Sequence, residues 1–243
     1  MEPSKAGNSN YSYVLTRTSI RSLAGDPNVL LSTCPGDLYL IESSPVGCKR
    51  INRTMSRVWL TLAMDNWSRK ILGFFLSMGS EPRLDEERII DSISEDKEKL
   101  HRYLDVPFQK SLWPRAPLPF HILIDEEPNI LTSWEKLEIT VVKRSAYLHP
   151  LKSLTEDAFN RISKAFDISE DCKDSSGGNR DYQDLTVHSV VEIGRAILAE
   201  INRLNERRLE SHLIPNLALV KGVEPVPNVL FTWGIENVTG ARY

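Results

Sequence analysis

The sequence predicts an α/β fold built on a mixed β-sheet. Five apolar runs have the length of strands, at residues 38–41, 58–64, 71–78, 121–124 and 139–142. The first three follow one another at short spacing, whereas the last two alternate with stretches of helical periodicity. This order is typical of an α/β domain whose sheet combines antiparallel and parallel strands.

The first three strands are predicted to be joined by hairpins. Pro35-Gly36-Asp37 forms a turn before the first strand, and that strand is expected to end at Glu42 because Pro45 and Gly47 follow. A basic loop comes next, and the segment 65–68 connects the second strand to the third. Connections this short make neighbouring strands antiparallel.

Helical periodicity marks three longer stretches. Residues 84–104 have one apolar stripe and acids in the first turn, where negative charge favours the helix dipole. A helix around residue 156 has an apolar face, made of Leu154, Ala158, Ile162, Ala165 and Phe166. Residues 187–208 repeat the pattern. A short helix is expected around Trp134, and a polar loop at 170–184.

Composition excludes several classes of protein. The chain has 243 residues, of which 41% are hydrophobic and 26% charged, as in ordinary globular proteins. Its longest apolar runs are too short to span a bilayer, and its N-terminus lacks the pattern of a secretion signal. The cysteines are too few for a disulfide scaffold or a zinc site; they are Cys34, Cys48 and Cys172. We therefore expect a cytoplasmic protein with no membrane partner.

The charge of the chain is a weaker indication of its function. The net charge of −3 does not favour nucleic-acid binding, because DNA-binding domains are usually strongly basic. Four basic residues nevertheless lie within nine positions that contain no acid, namely Lys49, Arg50, Arg53 and Arg57. This run is either a solvated hairpin loop or a surface that neutralises phosphate.

Two acids lie where strands and helices present metal ligands. An apolar run at 121–124 leads to Asp125 at the expected end of a strand, and Glu156 follows 31 residues later near the start of a helix. Simpler explanations exist for both, because Asp125 can begin a turn and Ser153 with Glu156 can form a helix capping box. Glu42 can likewise be an ordinary acid at a strand end.

Five segments, in chain order, resemble the catalytic core of DDE transposases and retroviral integrases. WLTLAMDNWSRKILGF (59–74) is similar to its second and third strands, and PGDLYLIESSPV (35–46) to its first. ILIDEEPN (122–129) looks like the strand that carries the second catalytic aspartate, and LHPLKSLTEDAF (148–159) like the start of the catalytic helix. PNVLFTWGIENVTG (227–240) is similar to the end of the core in transposases of phage Mu and its bacterial relatives, to which the whole resemblance is strongest.

The resemblance implies a ribonuclease H-like fold. In that fold a five-stranded mixed sheet, with three antiparallel strands and then two parallel ones, is flanked by helices. We expect this core at residues 35–210, an irregular N-terminal segment at 1–34, and a C-terminal extension at 211–243 that packs on the core.

The resemblance also implies a site. The family's three catalytic acids fall on Glu42, Asp125 and Glu156, which would converge at one edge of the sheet and hold Mg²⁺ or Mn²⁺. Two such ions clamp the attacking and leaving oxygens of phosphoryl transfer, and they prefer carboxylate ligands. The partner would be DNA, bound by Lys152 together with the four basic residues described above.

Three positions depart from the family pattern. Glu42 replaces an aspartate, Glu126-Glu127 replaces an asparagine-glycine turn, and Ser153 replaces a glycine. We therefore hold two hypotheses for this truncated or divergent member. One is a mobile-element transposase core that integrates DNA by metal-dependent strand transfer, with activity eroded. The alternative is a catalytically inactive relic that binds DNA or assembles with transposase subunits or with itself; a cellular nuclease on the same fold is a third interpretation.

Overall fold

The structure, a computed structural model, describes residues 32–51, 54–79, 86–124, 137–143, 149–165, 171–172, 182–183 and 188–238. Its strands are β1 (Leu38–Ile51), β2 (Thr54–Asp65), β3 (Ile71–Gly79), β4 (His121–Ile124), β5 (Thr140–Lys143), β6 (Asp171–Cys172) and β7 (Tyr182–Gln183). Its α-helices are α1 (Glu86–Ser94), α2 (Lys97–Leu104), α3 (His149–Lys164), α4 (Val190–Asn205), α5 (Asn216–Val220) and α6 (Pro227–Asn237). Single 3₁₀ turns lie at Lys110–Leu112 and Ser211–Leu213. None of the helices in these ranges is long and apolar enough to cross a membrane.

The main sheet has five strands in the order β3-β2-β1-β4-β5. β1 pairs antiparallel with β2, and β2 with β3, whereas β4 runs parallel to both β1 and β5. The predicted mixed sheet of three antiparallel and two parallel strands is therefore confirmed. β6 and β7 form a separate antiparallel pair, so the predicted polar loop at 170–184 contains two short strands.

The central strand, β1, is much longer than predicted. It continues past Pro45 and Gly47, where its pairing with β2 shifts register in a bulge, and it ends only at Ile51. A bulge accommodates a residue that cannot pair regularly, which explains why these two residues do not end the strand. Lys49 and Arg50 consequently lie within β1 and not in a loop.

Alternate residues of β1 fill two separate cores, one on each face of the sheet. Leu38 and Leu40 pack in a cluster with apolar residues of α3 and α4. Tyr39 and Ile41 pack in a second cluster with residues of α1 and with Phe231 of α6. Because neighbouring strand residues face opposite sides, this alternation buries the sheet between two layers of helices.

Three helices differ from the prediction. The stretch 84–104 is interrupted at Asp96, whose side chain accepts hydrogen bonds from the first amides of α2 and so starts a second helix. α3 begins at His149, so Ser153 lies inside the helix, and the alternative explanation of a capping box at Ser153 and Glu156 is wrong. Its buried face consists of Thr155, Ala158, Phe159 and Ile162, whereas Ala165 is exposed. Trp134 and Phe166 lie outside the described residues.

α4 is shorter than the predicted helix at 187–208. It begins with a capping box, in which the Ser189 side chain accepts from the Glu192 amide and the Glu192 side chain accepts from the Ser189 amide. Satisfying these amides fixes the first turn. The helix then buries Ile193, Ile197 and Ile201 against the sheet at steps of four residues.

The packing of α1 on β3 depends on Gly73. A Cβ atom at this position would lie 2.6 Å from the carbonyl carbon of Ser92 in α1, and backbone atoms cannot yield cheaply. We expect Gly73→Ala to lower the free energy of unfolding by about 1–3 kcal/mol, measured by urea denaturation. Gly194→Ala is the control, because its nearest neighbour is the flexible end of Leu104 at 3.1 Å. An equal effect of both variants would contradict the tight contact.

Candidate functional site

Glu42 lies in the middle of the central strand, not at a strand end as predicted. It is only 6% exposed and lies opposite Leu62 of β2. The hydroxyl of Thr155, on α3, donates a hydrogen bond to its Oε2 atom. This buried hydrogen bond joins the helix to the sheet across 113 residues of sequence. Glu42 therefore helps to hold α3 in place.

Glu156 lies next to this contact. It directly follows Thr155 in α3, but its side chain is exposed. Successive residues of an α-helix are rotated by about 100°, so Thr155 faces the sheet while Glu156 is directed towards solvent beside it. The structure thus brings the segment of Glu156 against the strand of Glu42.

Asp125 lies outside the described residues, directly after Ile124, the last residue of β4. β4 is the parallel neighbour of β1, and Leu123 pairs with Leu40. In the sequence, Asp125 follows Leu123 by two positions, and Glu42 follows Leu40 by two positions. Within the ranges that the structure describes, no three His, Cys, Asp or Glu residues cluster closely enough to hold a metal ion.

The five basic residues predicted to contact DNA belong to different elements. Lys49 and Arg50 lie in β1, and the half-buried Arg57 lies on β2 opposite Cys48. Lys152 belongs to the first half of α3. Arg53 lies outside the described residues. Four of the five thus stand on regular structure, and the predicted basic loop is a long two-stranded ribbon.

The predicted connection at 65–68 is a turn, but sequence reasoning missed that it is buried. Asp65, at the end of β2, is fully buried, and its carboxylate accepts hydrogen bonds from the amides of Gly36 (3.0 Å) and Ser68 (2.8 Å). The Ser68 hydroxyl donates a third, at 2.5 Å. This carboxylate fixes the turn between β2 and β3 and ties it to the start of β1, which is a structural role.

Burial shifts the pKa values of the charged groups at this turn. Burial raises the pKa of Asp65 to about 6, although the hydrogen bonds from Ser68 and Gly36 oppose the rise. Burial also lowers the pKa of Lys70 to about 7, and the Lys70 ammonium donates to the carbonyl of Leu112 at 2.6 Å. Its Nζ atom also lies 5.1 Å from the ring centre of Phe231. A run of polar residues between two strands normally indicates an exposed loop, so this burial could not be predicted from the pattern of residues.

One protein family matches this chain. The model of the family described as the TnsB C-terminal domain matches residues 33–169, more than half of the chain. Comparison with curated proteins gives no match.

Two solved structures are similar to the chain. One is a chain of the simian T-cell lymphotropic virus intasome in complex with PP2A regulatory subunit B56 gamma, with 13% identity and a TM-score of 0.39 over 76% of this chain and 57% of that one. The other is the catalytic core domain of BIV integrase, with 12% identity and a TM-score of 0.38 over 83% of this chain and 95% of that one. The present chain therefore spans little more than half the length of the first.

The hydrogen bond between Thr155 and Glu42 can be tested by removing the hydroxyl. Thr155→Val keeps the shape of the side chain but removes a donor from a buried carboxylate, so we expect the free energy of unfolding to fall by about 1–3 kcal/mol at neutral pH. Thr155→Ser keeps the hydroxyl and is the matched control. If serine and valine destabilise equally, measured by urea denaturation, the hydrogen bond contributes nothing.

The raised pKa of Asp65 predicts that the stability of the fold depends on pH. Its pKa is higher in the folded chain than its ordinary value of 3.8, so between about pH 4 and pH 6 the folded state binds a proton that the unfolded state has lost. The free energy of unfolding therefore falls as pH rises through this window, by at most about 1.4 kcal/mol per pH unit. Asp65→Asn removes this contribution. We expect the stability difference, wild type minus variant, to shrink from pH 4 to pH 6; a constant difference would contradict the raised pKa.

Proposed function

This chain belongs to the family of the TnsB C-terminal domain, and we propose that it is a transposase catalytic core that integrates DNA by metal-dependent strand transfer. As a transposase- and integrase-like domain it keeps the five-stranded sheet described above. The observation that carries the proposal is the extent of the family match, 33–169, which includes all three candidate acids, Glu42, Asp125 and Glu156.

Carboxylates from these three positions suit a divalent ion. Mg²⁺ prefers hard oxygen ligands, and each proposed ligand is a carboxylate. Glu42 accepts a hydrogen bond from Thr155, but a carboxylate has about four lone-pair sites and can bind a cation as well. A bound ion would neutralise charge on the phosphate and activate the attacking hydroxyl or water. The chain itself would supply rigid mounts for the ligands on β1 and α3.

A specific observation favours the second candidate, an inactive relic. Glu42 is almost fully buried in the middle of a strand, and its carboxylate is already engaged by the helix. It also replaces the aspartate of the family, which lengthens the side chain by about 1.5 Å, whereas a preorganised site tolerates about 0.5 Å. In this candidate the fold survives, and the chain binds DNA or assembles with transposase subunits.

DNA is the proposed partner of either candidate, and Mu-like transposases are the proposed relatives. We propose that Lys49, Arg50 and Arg57 of the β1–β2 ribbon neutralise phosphates, together with Arg53 and with Lys152 of α3. Contacts of this kind release counterions, so the affinity would fall steeply as salt is raised. Because the chain has a net charge of −3, this surface would bind DNA through its local positive charge, without the long-range field of a strongly basic domain.

The proposal is tested by metal-dependent nicking of branched or pre-nicked DNA. We expect wild-type protein with Mn²⁺ or Mg²⁺ to nick this substrate, and Asp125→Asn to reduce nicking to the metal-free level, because one metal ligand loses its charge. Asp91→Asn, an exposed aspartate on α1, is the matched control. Gel analysis of the products measures the rate.

Metal binding separates the two candidates. If wild-type protein shows neither nicking nor a rise in melting temperature with Mn²⁺, the enzyme is excluded and the relic remains. Glu42→Asp then provides a second measurement, because erosion at this position predicts that the shorter acid restores a metal-induced rise. DNA binding retained by an inactive chain would support its role in assembly.

A further inference from the structure

The structure contains a cleft on the α3 side of the sheet that none of the predicted site residues lines. Its inner wall is formed by the turn after β2 and by α3, and its outer wall by residues 204–213, which comprise the end of α4 and the segment after it. It has a volume of about 260 Å³. Its charged and titratable side chains are Arg69, Asp157, Arg161, Arg207, Arg208, Glu210 and His212. We propose that this cleft binds a phosphate oxyanion, with Arg69 as the innermost ligand.

Arg69 is the first reason. Its side chain is 6% exposed, and burial lowers its pKa to about 10 even though Asp65 opposes this change. It stays positively charged at neutral pH. Its Nη1 atom donates to Asn66 at 2.5 Å. Its Nε and Nη2 atoms have no hydrogen-bond acceptor among the described residues. Two buried donors left without an acceptor are costly, which indicates a ligand with oxygen atoms at this position.

The nearest carboxylate does not satisfy these donors. Asp65 interacts with Arg69 by charge, but its oxygens accept their hydrogen bonds from Gly36 and Ser68. It is committed to the turn, as described above. A second acid, Asp157, lies across the cleft, where it pairs with Arg161 at 2.8 Å and Arg207 at 3.7 Å.

The charge of the cleft also favours an anion. Four arginines line it against two carboxylates, those of Asp157 and Glu210. Glu210 is itself 3.5 Å from His212. The lining therefore has two positive charges in excess, counted with His212 neutral. A guanidinium fork matches the oxygens of phosphate in two parallel hydrogen bonds, which is why arginine predominates in phosphate sites.

The oxyanion has two possible sources, inorganic phosphate and the phosphodiester of DNA, which share this chemistry. The second source rests on the function proposed above, because the α3 wall includes Asp157, the neighbour of Glu156. The first does not. Binding is therefore measured in EDTA, where no metal-dependent step occurs, so that failure of the cleft and failure of the metal site are distinguished.

The experiment uses the whole chain and two probes. Calorimetry and thermal melting are followed with inorganic phosphate, with ionic strength held constant by chloride, and separately with a short duplex DNA. We expect saturable binding of phosphate that raises the melting temperature. Arg69→Gln and Arg208→Gln should each weaken binding by about tenfold or more, because each removes a charged hydrogen bond. Arg102→Gln is the matched control, since this exposed arginine lies on α2 and pairs with Glu98.

The outcomes are distinct. Phosphate binding that depends on Arg69 and Arg208, without DNA binding of the same dependence, supports the site and assigns it to free phosphate. DNA binding with that dependence assigns it to the phosphodiester. Should Arg69→Gln fail to fold, as judged by circular dichroism, Arg208→Gln alone decides. Saturable binding of neither probe, or binding that both variants leave intact, overturns the proposal and leaves water as the partner of Arg69.

Discussion

The buried carboxylate of Asp65 holds together the part of the fold from which the sheet is built. It accepts hydrogen bonds from Gly36, just before β1, and from Ser68, in the turn that joins β2 to β3. Trp67 of the same turn stacks on Trp233 of α6, with ring centres 6.3 Å apart. Asp65 therefore connects the end of β2 to the segments that precede β1 and β3, and Trp67 of the same turn connects them to α6. Because these hydrogen bonds offset much of the cost of burying a charge, the turn has little freedom to vary.

The sequence predicted well those strands and helices that are defined by an apolar pattern alone, and it predicted the others poorly. The apolar runs of β2, β3 and β4 identified these strands, since burial of a strand requires them. Pro45 and Gly47 ended β1 too early in the prediction, because a bulge that accommodates them depends on the partner strand. The burial of Arg69 and Lys70 could not be foreseen either, because polar residues become buried only when distant groups, such as the Leu112 carbonyl, satisfy them.

The candidate site, like the fold, contains residues that the sequence pointed to and residues that it did not. The resemblance to the transposase and integrase core was the reason to choose Glu42 and Glu156, and the structure describes both on elements that pack together. Sequence reasoning did not foresee the interaction of Thr155 with Glu42, because the segment 148–159 was considered only for Ser153 and Glu156. A hydroxyl gives no signal of its own in a helix, and its role depends on the residue that it faces across the sheet. The catalytic roles of Glu42, Asp125 and Glu156 all remain predictions.

Under the proposal that Glu42 occupies the first catalytic position, its contact with Thr155 gives a physical reason to connect the change from aspartate to glutamate with a loss of metal dependence. A carboxylate buried in the middle of a strand needs hydrogen bonds or a cation to offset its lost hydration. In a working metal site the cation supplies most of this compensation. Here a helix hydroxyl supplies part of it, and the additional methylene of glutamate extends the reach of the carboxylate beyond that of an aspartate. Each hydrogen bond from the protein weakens the requirement for metal, so the same residue can remain essential for folding after it has ceased to be essential for chemistry.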